Sequence, residues 1–428
     1  MTTGRLVIVV RADPVICGHS GEARNLAEAA LLRGFDDVRI VTWPIERLQE
    51  SGLPLKPLDE ISAYSDGIVV ERPEPVGDYK VPDGRYLAGI VGRLVELFTD
   101  GVPTLCLSLY LSPHTVAVSE ALRIAEGTGL PVNVRTIAEA VGSDITNVVR
   151  SAVAEGRFGA AAHVLGAYLS SDVCAAVSQY TKTMIVESAA ELDLLHGTGY
   201  ARQCRERVRV SYPAIDTAAY TGLTVARRDN ALARRGLRAG GYVLFLSRLG
   251  RAKGVGDLID GYVRSQTRHR VPLVVCGNGP ERDELHAWAE RTGAADRIIF
   301  LHDVSDAEKP ALMAGSLAYV LPSKPRPEFT ETFGIALVEQ MLAGGGPVIT
   351  CDTGGIREAV GDAAIFVPPS DPGAIATALD RVVIAMDETA RAAWSARARQ
   401  HALQFDRMPI FDNLLVQVDA VTPLRAVS

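Results

Sequence analysis

The stretch YVLFLSRLGRAKGVGDLIDGYVRSQTRHRVPLVVCG, residues 242–277, opens on one unbroken apolar run, YVLFLS, and closes on another, PLVVCG. A helix-length segment lies between them. Short apolar runs without polar alternation suit strands buried on both faces, and two of them joined through a helix make a right-handed βαβ unit in a parallel sheet. The rhythm recurs along the chain. In the first half LVIVV (6–10), VRIVTW (38–43), PTLCLSL (103–109), PVNVR (131–135) and VCAAVS (173–178) read as strands. In the second half IIFLH (298–302), AYVLPS (318–323) and PVITC (347–351) extend the series. Intervening segments such as EARNLAEAALLRG (22–34) repeat apolar residues at threes and fours, as an amphipathic helix does.

With 428 residues the chain exceeds one ordinary core. About five strands on each side predict an α/β protein of two doubly wound, Rossmann-like domains rather than one large sheet. Residues 1–220 are expected to form the first domain and 241–400 the second. Residues 221–240 lose strand character, gain charge and read as a linker, and 401–428 read as a C-terminal helical segment. Open α/β sheets bind ligands off the carboxyl ends of their strands, and two such domains facing each other leave a central cleft.

Net charge is −7 and no Lys/Arg-rich run occurs, which argues against nucleic acid and against an anionic-membrane anchor. Apolar runs are strand-length, far short of a membrane span, so no stable membrane insertion is expected. The N-terminal run is followed by Arg11 and Asp13 and lacks a secretory pattern, so a cytoplasmic protein is expected. The six cysteines (17, 106, 174, 204, 276 and 351) show neither a CxxC pair nor zinc spacing, and no disulfide framework is expected. Cys106, Cys276 and Cys351 sit in or beside apolar runs, where a free cysteine packs as a small hydrophobe.

Chemistry concentrates in PEFTETFGIALVEQMLAGGGPVITCDTGG, residues 327–355. A helix begins near Gly334, and its open first-turn amides favour an anion. Glu331 and Glu339 are eight positions apart, roughly 12 Å along a helix. That is too far to share a proton or a metal ion. The spacing suits an extended sugar nucleotide, with hexose hydroxyls at one end, ribose hydroxyls at the other and diphosphate between. Arg248 and Lys253 follow the first strand of the second domain, where two fixed cations suit a diphosphate leaving group. No Asp-x-Asp occurs in the chain, and no metal or other cofactor is expected. GNGP (277–280) lets the backbone at Gly277 approach a ligand, while Gly354 and Gly355 read as a structural turn.

Together these residues resemble the family 4 glycosyltransferases, retaining enzymes of the two-domain GT-B type. RLGRAKG, GNGPE, the Glu-x7-Glu segment and DTGGIREAV fall in family order within residues 241–371. Similarity continues more weakly through CGHSGEARNLAEAALLRG (17–34), SDVCAAVSQYTKTMI (171–185) and the crossover-like RVRVSYPAIDTAAY (207–220). The resemblance implies that Glu339 binds ribose hydroxyls, that Arg248 and Lys253 bind the diphosphate, and that Glu331 meets the donor sugar at the reacting carbon. It implies that backbone at Phe333, Gly334, Ile335 and Ala336 lines sugar and phosphates, and that Gly18 approaches the phosphate from the first domain. It further implies same-face attack on the sugar, with the leaving diphosphate as base.

The family often carries a histidine near the reacting sugar, whereas PVNVRTIAEAVGSD (131–144) has none. The acceptor is expected to meet first-domain loops 17–25, 75–84, 109–114 and 135–144, with His19, Ser20, Tyr110, His114 and Arg135 as contacts. These loops are mixed polar, which suits a small soluble acceptor. They resemble actinobacterial secondary-metabolism members, including lincosamide enzymes that place an octose on the thiol of ergothioneine. Uridine and guanosine donors both stay open, as does a homodimer. Two other classes stay open as well: a non-catalytic sugar-nucleotide-binding module, and a phosphorylase or epimerase on the same fold.

Overall fold

A computed structural model of the protein describes residues 4–77, 82–327 and 329–421. The chain divides into two compact units, one running to Ala214 and resuming at Arg407, the other spanning Ile215–Asp406. The first unit holds β1 (Arg5–Val9), β2 (Asp37–Val41), β3 (Ile68–Glu71), β4 (Thr104–Leu109), β5 (Val134–Ala140), β6 (Val173–Ala176) and β7 (Val208–Val210). They form one sheet in the order β3-β2-β1-β4-β5-β6-β7. The second unit holds β8 (Val243–Leu246), β9 (Leu273–Cys276), β10 (Ile298–Leu301), β11 (Ala318–Leu321), β12 (Val348–Cys351) and β13 (Ala364–Val367), ordered β10-β9-β8-β11-β12-β13. Every pairing in both sheets is parallel. Both are doubly wound, with strand order reversing at β1/β4 and at β8/β11.

Residue alternation along β1 shows why. Leu6 and Ile8 pack against Ala23, Leu26 and Ala30 of the helix Gly18–Leu32 and against Phe411 and Leu414 of the helix Arg407–Ala420. Val7 and Val9 face the other way, onto Leu94, Phe98 and Leu122. A strand with helices on both faces has no polar face to show, and β1 is buried at all five positions. The helix Arg407–Ala420 is therefore part of the first unit's core, held further by an edge-on contact of Phe35 with Phe411 at 5.8 Å between ring centres.

Three strands escaped the sequence reading, and all three lie at sheet edges. β3 and β7 flank the first sheet and β13 ends the second. VRV at 208–210 is short and charged and leaves no continuous apolar run, whereas β3 (IVVE) and β13 (AIFV) are apolar runs as short as the central strands of the second sheet. One central strand was misplaced: the run taken as 131–135 is Val134–Ala140. The expected linker 221–240 contains a helix, Val225–Arg234, whose N-cap Thr224 accepts from the Arg227 amide. All six cysteines are unpaired, five of them buried. Among the described residues no helix is long and apolar enough to cross a membrane.

Candidate functional site

The second sheet reverses at β8 and β11, so the loops after these strands frame a crevice at their carboxyl ends. After β8 comes Arg248, then a 3-10 turn Arg251–Lys253. After β11 the chain runs to Glu331 and into the helix Ile335–Ala343. The two loops are tied together where the Lys324 amide donates to the Ala252 carbonyl at 2.8 Å. Across them the Lys253 ammonium pairs with Oε2 of Glu331, both side chains being largely buried. The same ammonium lies 5.2 Å from the centre of the Phe329 ring. Arg248 differs: its side chain is exposed and has no hydrogen bond or ion pair among the described residues.

Gly334 caps the helix with φ of +102°, a left-handed conformation that favours glycine, and carries no side chain to satisfy the first-turn amides. The amides of Ile335 and Ala336 thus begin the helix without an intrahelical acceptor. Phe333 packs inward, edge-on to Phe405 at 5.1 Å between ring centres, so only its backbone is placed to line a ligand. Gly354 and Gly355, read as a turn, also support this loop. The Gly355 amide donates to the Glu331 carbonyl at 2.9 Å, and a Cβ at Gly354 would meet that carbonyl oxygen at 2.0 Å. The pair of glycines lets two backbones touch where Glu331 must stand. Gly277, after β9, has its carbonyl bonded by Nδ1–H of His302 at 2.7 Å.

Glu339 sits one turn into the helix with its Oε1 doubly engaged. The Tyr220 hydroxyl donates to it at 2.6 Å, and the Lys309 ammonium lies 3.6 Å away. The Glu339 charge, against an opposing cost of burial, holds the Lys309 ammonium above its usual value. Burial and Glu339 together push the Tyr220 phenol well up, so it stays a donor. Neither residue was singled out from sequence. Tyr220 lies in a segment seen only as a crossover, and its distance of 119 positions from Glu339 leaves no local pattern. Among the described residues no three His, Cys, Asp or Glu side chains group as metal ligands.

In the first unit, Gly18 starts the helix Gly18–Leu32 and His19 lies 5.7 Å from the Tyr110 ring. Tyr110, immediately after β4, holds φ of +87°, strained for a non-glycine residue. The Arg11 guanidinium stands 4.7 Å over its ring. Ser20 is buried, and its hydroxyl has no partner among the described residues. His114 is buried, donating from Nδ1 to the Leu109 carbonyl at 2.6 Å and accepting at Nε2 from Trp43 at 3.3 Å. Both nitrogens are used, and burial lowers its pKa to about 3, so His114 is a neutral structural residue rather than an acceptor contact. Burial, with Arg11 and His114, likewise keeps His19 neutral.

Arg135 is corrected outright. Because β5 begins at Val134, Arg135 pairs in register with Leu105, toward the amino ends of the strands. Its guanidinium donates to the carbonyls of Val418 and Val421 at 2.7 and 3.0 Å, at the end of the last helix. Cations belong at helix carboxyl termini, and this one is away from the ligand end of the sheet. Of the expected acceptor loop 75–84, residues 78–81 lie outside the described residues. The site residues brought together in the first unit are thus Gly18, His19 and Tyr110, with Arg11 added. A buried carboxyl pair, Glu22 and Glu139, lies at the carboxyl end of β5; Glu22 accepts from the Ala214 amide at 3.2 Å and the two carboxyls interact with each other. Glu139 interrupts the apolar run IAEAV, the signal that could have revealed it.

Residues 237–401 match the family Glycosyl transferases group 1. A D-rhamnosyltransferase, WbpZ, of Pseudomonas aeruginosa is 32% identical over 181 residues, which is 42% of this chain and 44% of the relative. The O-antigen chain mannosyltransferase B of Escherichia coli is 32% identical over 39% of this chain and 42% of its own length. An alpha-D-kanosaminyltransferase of Streptomyces kanamyceticus is 30% identical over 37% and 41%. The chain thus spans less than half the length of these curated relatives. The crystal structure of Anabaena Alr3699/HepE in complex with UDP and glucose superposes with a TM-score of 0.70 at 19% identity, covering 98% of this chain and all of that one. Sucrose-phosphate synthase of Thermosynechococcus elongatus gives 0.67 at 19% identity over 97% and 99%. These likenesses show the GT-B fold of two Rossmann-like domains, and residues 237–401 are similar to the group 1 glycosyl transferases.

Proposed function

We propose that the chain is a retaining glycosyltransferase that moves a sugar from a nucleoside-diphosphate sugar to a small soluble acceptor. The observation that carries this reading is the element around Gly334: Glu331 held by Lys253 before the helix, open amides at its start, and Glu339 inside it. Sugar, diphosphate and ribose would meet these three features in that order. Arg248, exposed and without a partner among the described residues, supplies a second cation for the diphosphate. The rhamnosyl, mannosyl and kanosaminyl transfers named for the relatives support glycosyl transfer.

In the reaction so read, the bond from sugar to phosphate stretches and positive charge builds on the ring. Glu331 opposes that charge, while Lys253 and Arg248 take up the negative charge on the leaving diphosphate without a metal. Glu139 is 1% exposed and cannot reach a sugar as nucleophile, which favours attack from the face that the diphosphate leaves. The acceptor would lie near His19 and Tyr110 in the first unit. Ergothioneine is the first acceptor to try, and the reaction is placed in the cytoplasm.

The test is incubation of the full chain with UDP- and GDP-sugars, with and without acceptor, following free nucleoside diphosphate and the anomeric configuration of the product by NMR. Acceptor-dependent release with retained configuration is expected. Binding without release would instead mark a sugar-nucleotide-binding module. An altered donor sugar, or turnover that requires inorganic phosphate, would mark an epimerase or a phosphorylase.

A further inference from the structure

The structure assigns Tyr220 and Lys309 as positioning residues for Glu339, and through it for the nucleoside end of the donor; this rests on the reading that Glu339 meets the ribose. Both partners hold one oxygen only. Oε1 accepts the Tyr220 hydroxyl at 2.6 Å and faces the Lys309 ammonium at 3.6 Å, while Oε2 has no partner among the described residues. Oε2 is not among the buried oxygens that lack a partner, so it is open to solvent and to a ligand. This one has one oxygen clamped and the other open.

The clamp is itself rigid. Tyr220 is 7% exposed and sits in the short helix Thr217–Thr221, just after the chain enters the second unit at Ile215. Asp216 caps that helix through the Ala219 amide at 3.3 Å. Thr217 is bonded to Asp406, and the Ile215 amide donates to the Phe405 carbonyl at 3.0 Å. Lys309 opens the helix Lys309–Gly315 and is steadied by Asp306 at 3.4 Å. A free glutamate must give up rotamer freedom when it meets a ligand, whereas a clamped one has already done so. Tyr220 and Lys309 thus set where Oε2 points, and a ribose is met by a fixed acceptor.

A double-mutant cycle on the full chain tests this, with UDP and GDP as calorimetric probes and with kcat and Tm measured alongside. Tyr220→Phe keeps the ring and removes one hydrogen bond. It is expected to weaken binding of the preferred nucleoside diphosphate by about threefold to tenfold, with kcat nearly unchanged. The pair Tyr220→Phe/Glu339→Gln should bind no worse than Glu339→Gln alone, because the hydroxyl acts only through the carboxylate. If Glu339→Gln loses affinity while Tyr220→Phe binds as wild type, the positioning role is wrong and the donor reading stands. Multiplying losses accompanied by a fall in Tm would show a merely structural tyrosine. If Glu339→Gln binds as wild type, the ribose assignment itself fails, and the positioning role with it.

Discussion

Lys253 and Glu331, 78 positions apart in sequence, are joined as an ion pair across the loops that follow β8 and β11. On the proposed reading a donor diphosphate draws on a cation already engaged by the carboxylate beside it. From sequence alone, removing either Lys253 or Arg248 would leave folding nearly untouched. The pair changes that for Lys253. Lys253→Met strands a largely buried carboxylate and is expected to cost about 1–3 kcal/mol of stability as well as activity. Adding Glu331→Gln in the same chain should return most of the lost Tm without returning turnover. Thermal unfolding of the two variants checks this, and a Tm for Lys253→Met equal to wild type would sink the idea that the pair matters to the fold.

Arg248 gives the opposite profile. Its exposed side chain has no partner among the described residues, so Arg248→Ala should leave Tm unchanged. Loss of one cation from the leaving group should still cost on the order of 2.7–4 kcal/mol in kcat, the scale measured for one oxyanion donor. Turnover within about threefold of wild type, less than 1 kcal/mol on the same scale, would remove Arg248 from the diphosphate site.

With two cations assigned to the diphosphate, activity is expected to survive EDTA. The measurement is a rate with and without chelator, then with added magnesium or manganese. Complete loss restored by either ion would show that a metal neutralises the leaving group.

Glu22 and Glu139 make stability depend on pH. Burial raises both carboxyls well above their ordinary range, Glu22 to about 7, with the repulsion from Glu22 adding to the rise at Glu139. Such groups favour the folded state while protonated. Their contribution is complete below the unfolded carboxylate range and is lost as pH rises through the folded values. Tm of the first unit's transition should therefore fall between about pH 6 and pH 8, and Glu139→Gln should flatten that slope. A Tm that rises over the same interval, or an unchanged slope in the variant, would mean that the pair is not protonated.

Central strands were legible because burial on both faces makes them continuous apolar runs. VRV at β7 was not, since an edge strand shares its residues with solvent. The positions of Glu331, Glu339, Arg248 and Lys253 near strand ends were legible because each lies within one loop or one helix of such an end. Tyr220 was invisible because its contact with Glu339 is made by folding rather than by spacing. Arg135 was misassigned through a shift of β5, which moved it from a loop to the far end of a strand, and His114 because a buried histidine and a ligand look alike in sequence. The twin glycines at 354 and 355 were correctly read as a turn, but the carbonyl they press against could only be seen in three dimensions.

The most direct measurement is a pair of donor titrations on Glu331→Gln and Glu339→Gln, reading Kd by calorimetry and kcat at saturation. Ribose does not change during reaction, so a contact to it acts equally on ground and transition states. Glu339→Gln should weaken donor binding by about 1.5–3 kcal/mol, the worth of a charged acceptor, with kcat preserved. On the proposed reading Glu331 faces developing positive charge, so Glu331→Gln should lower kcat while donor affinity stays near wild type. Equal losses of affinity with kcat intact in both variants would reduce the two glutamates to ends of a binding clamp, and the reversed pattern would mean that the donor lies the other way along the helix.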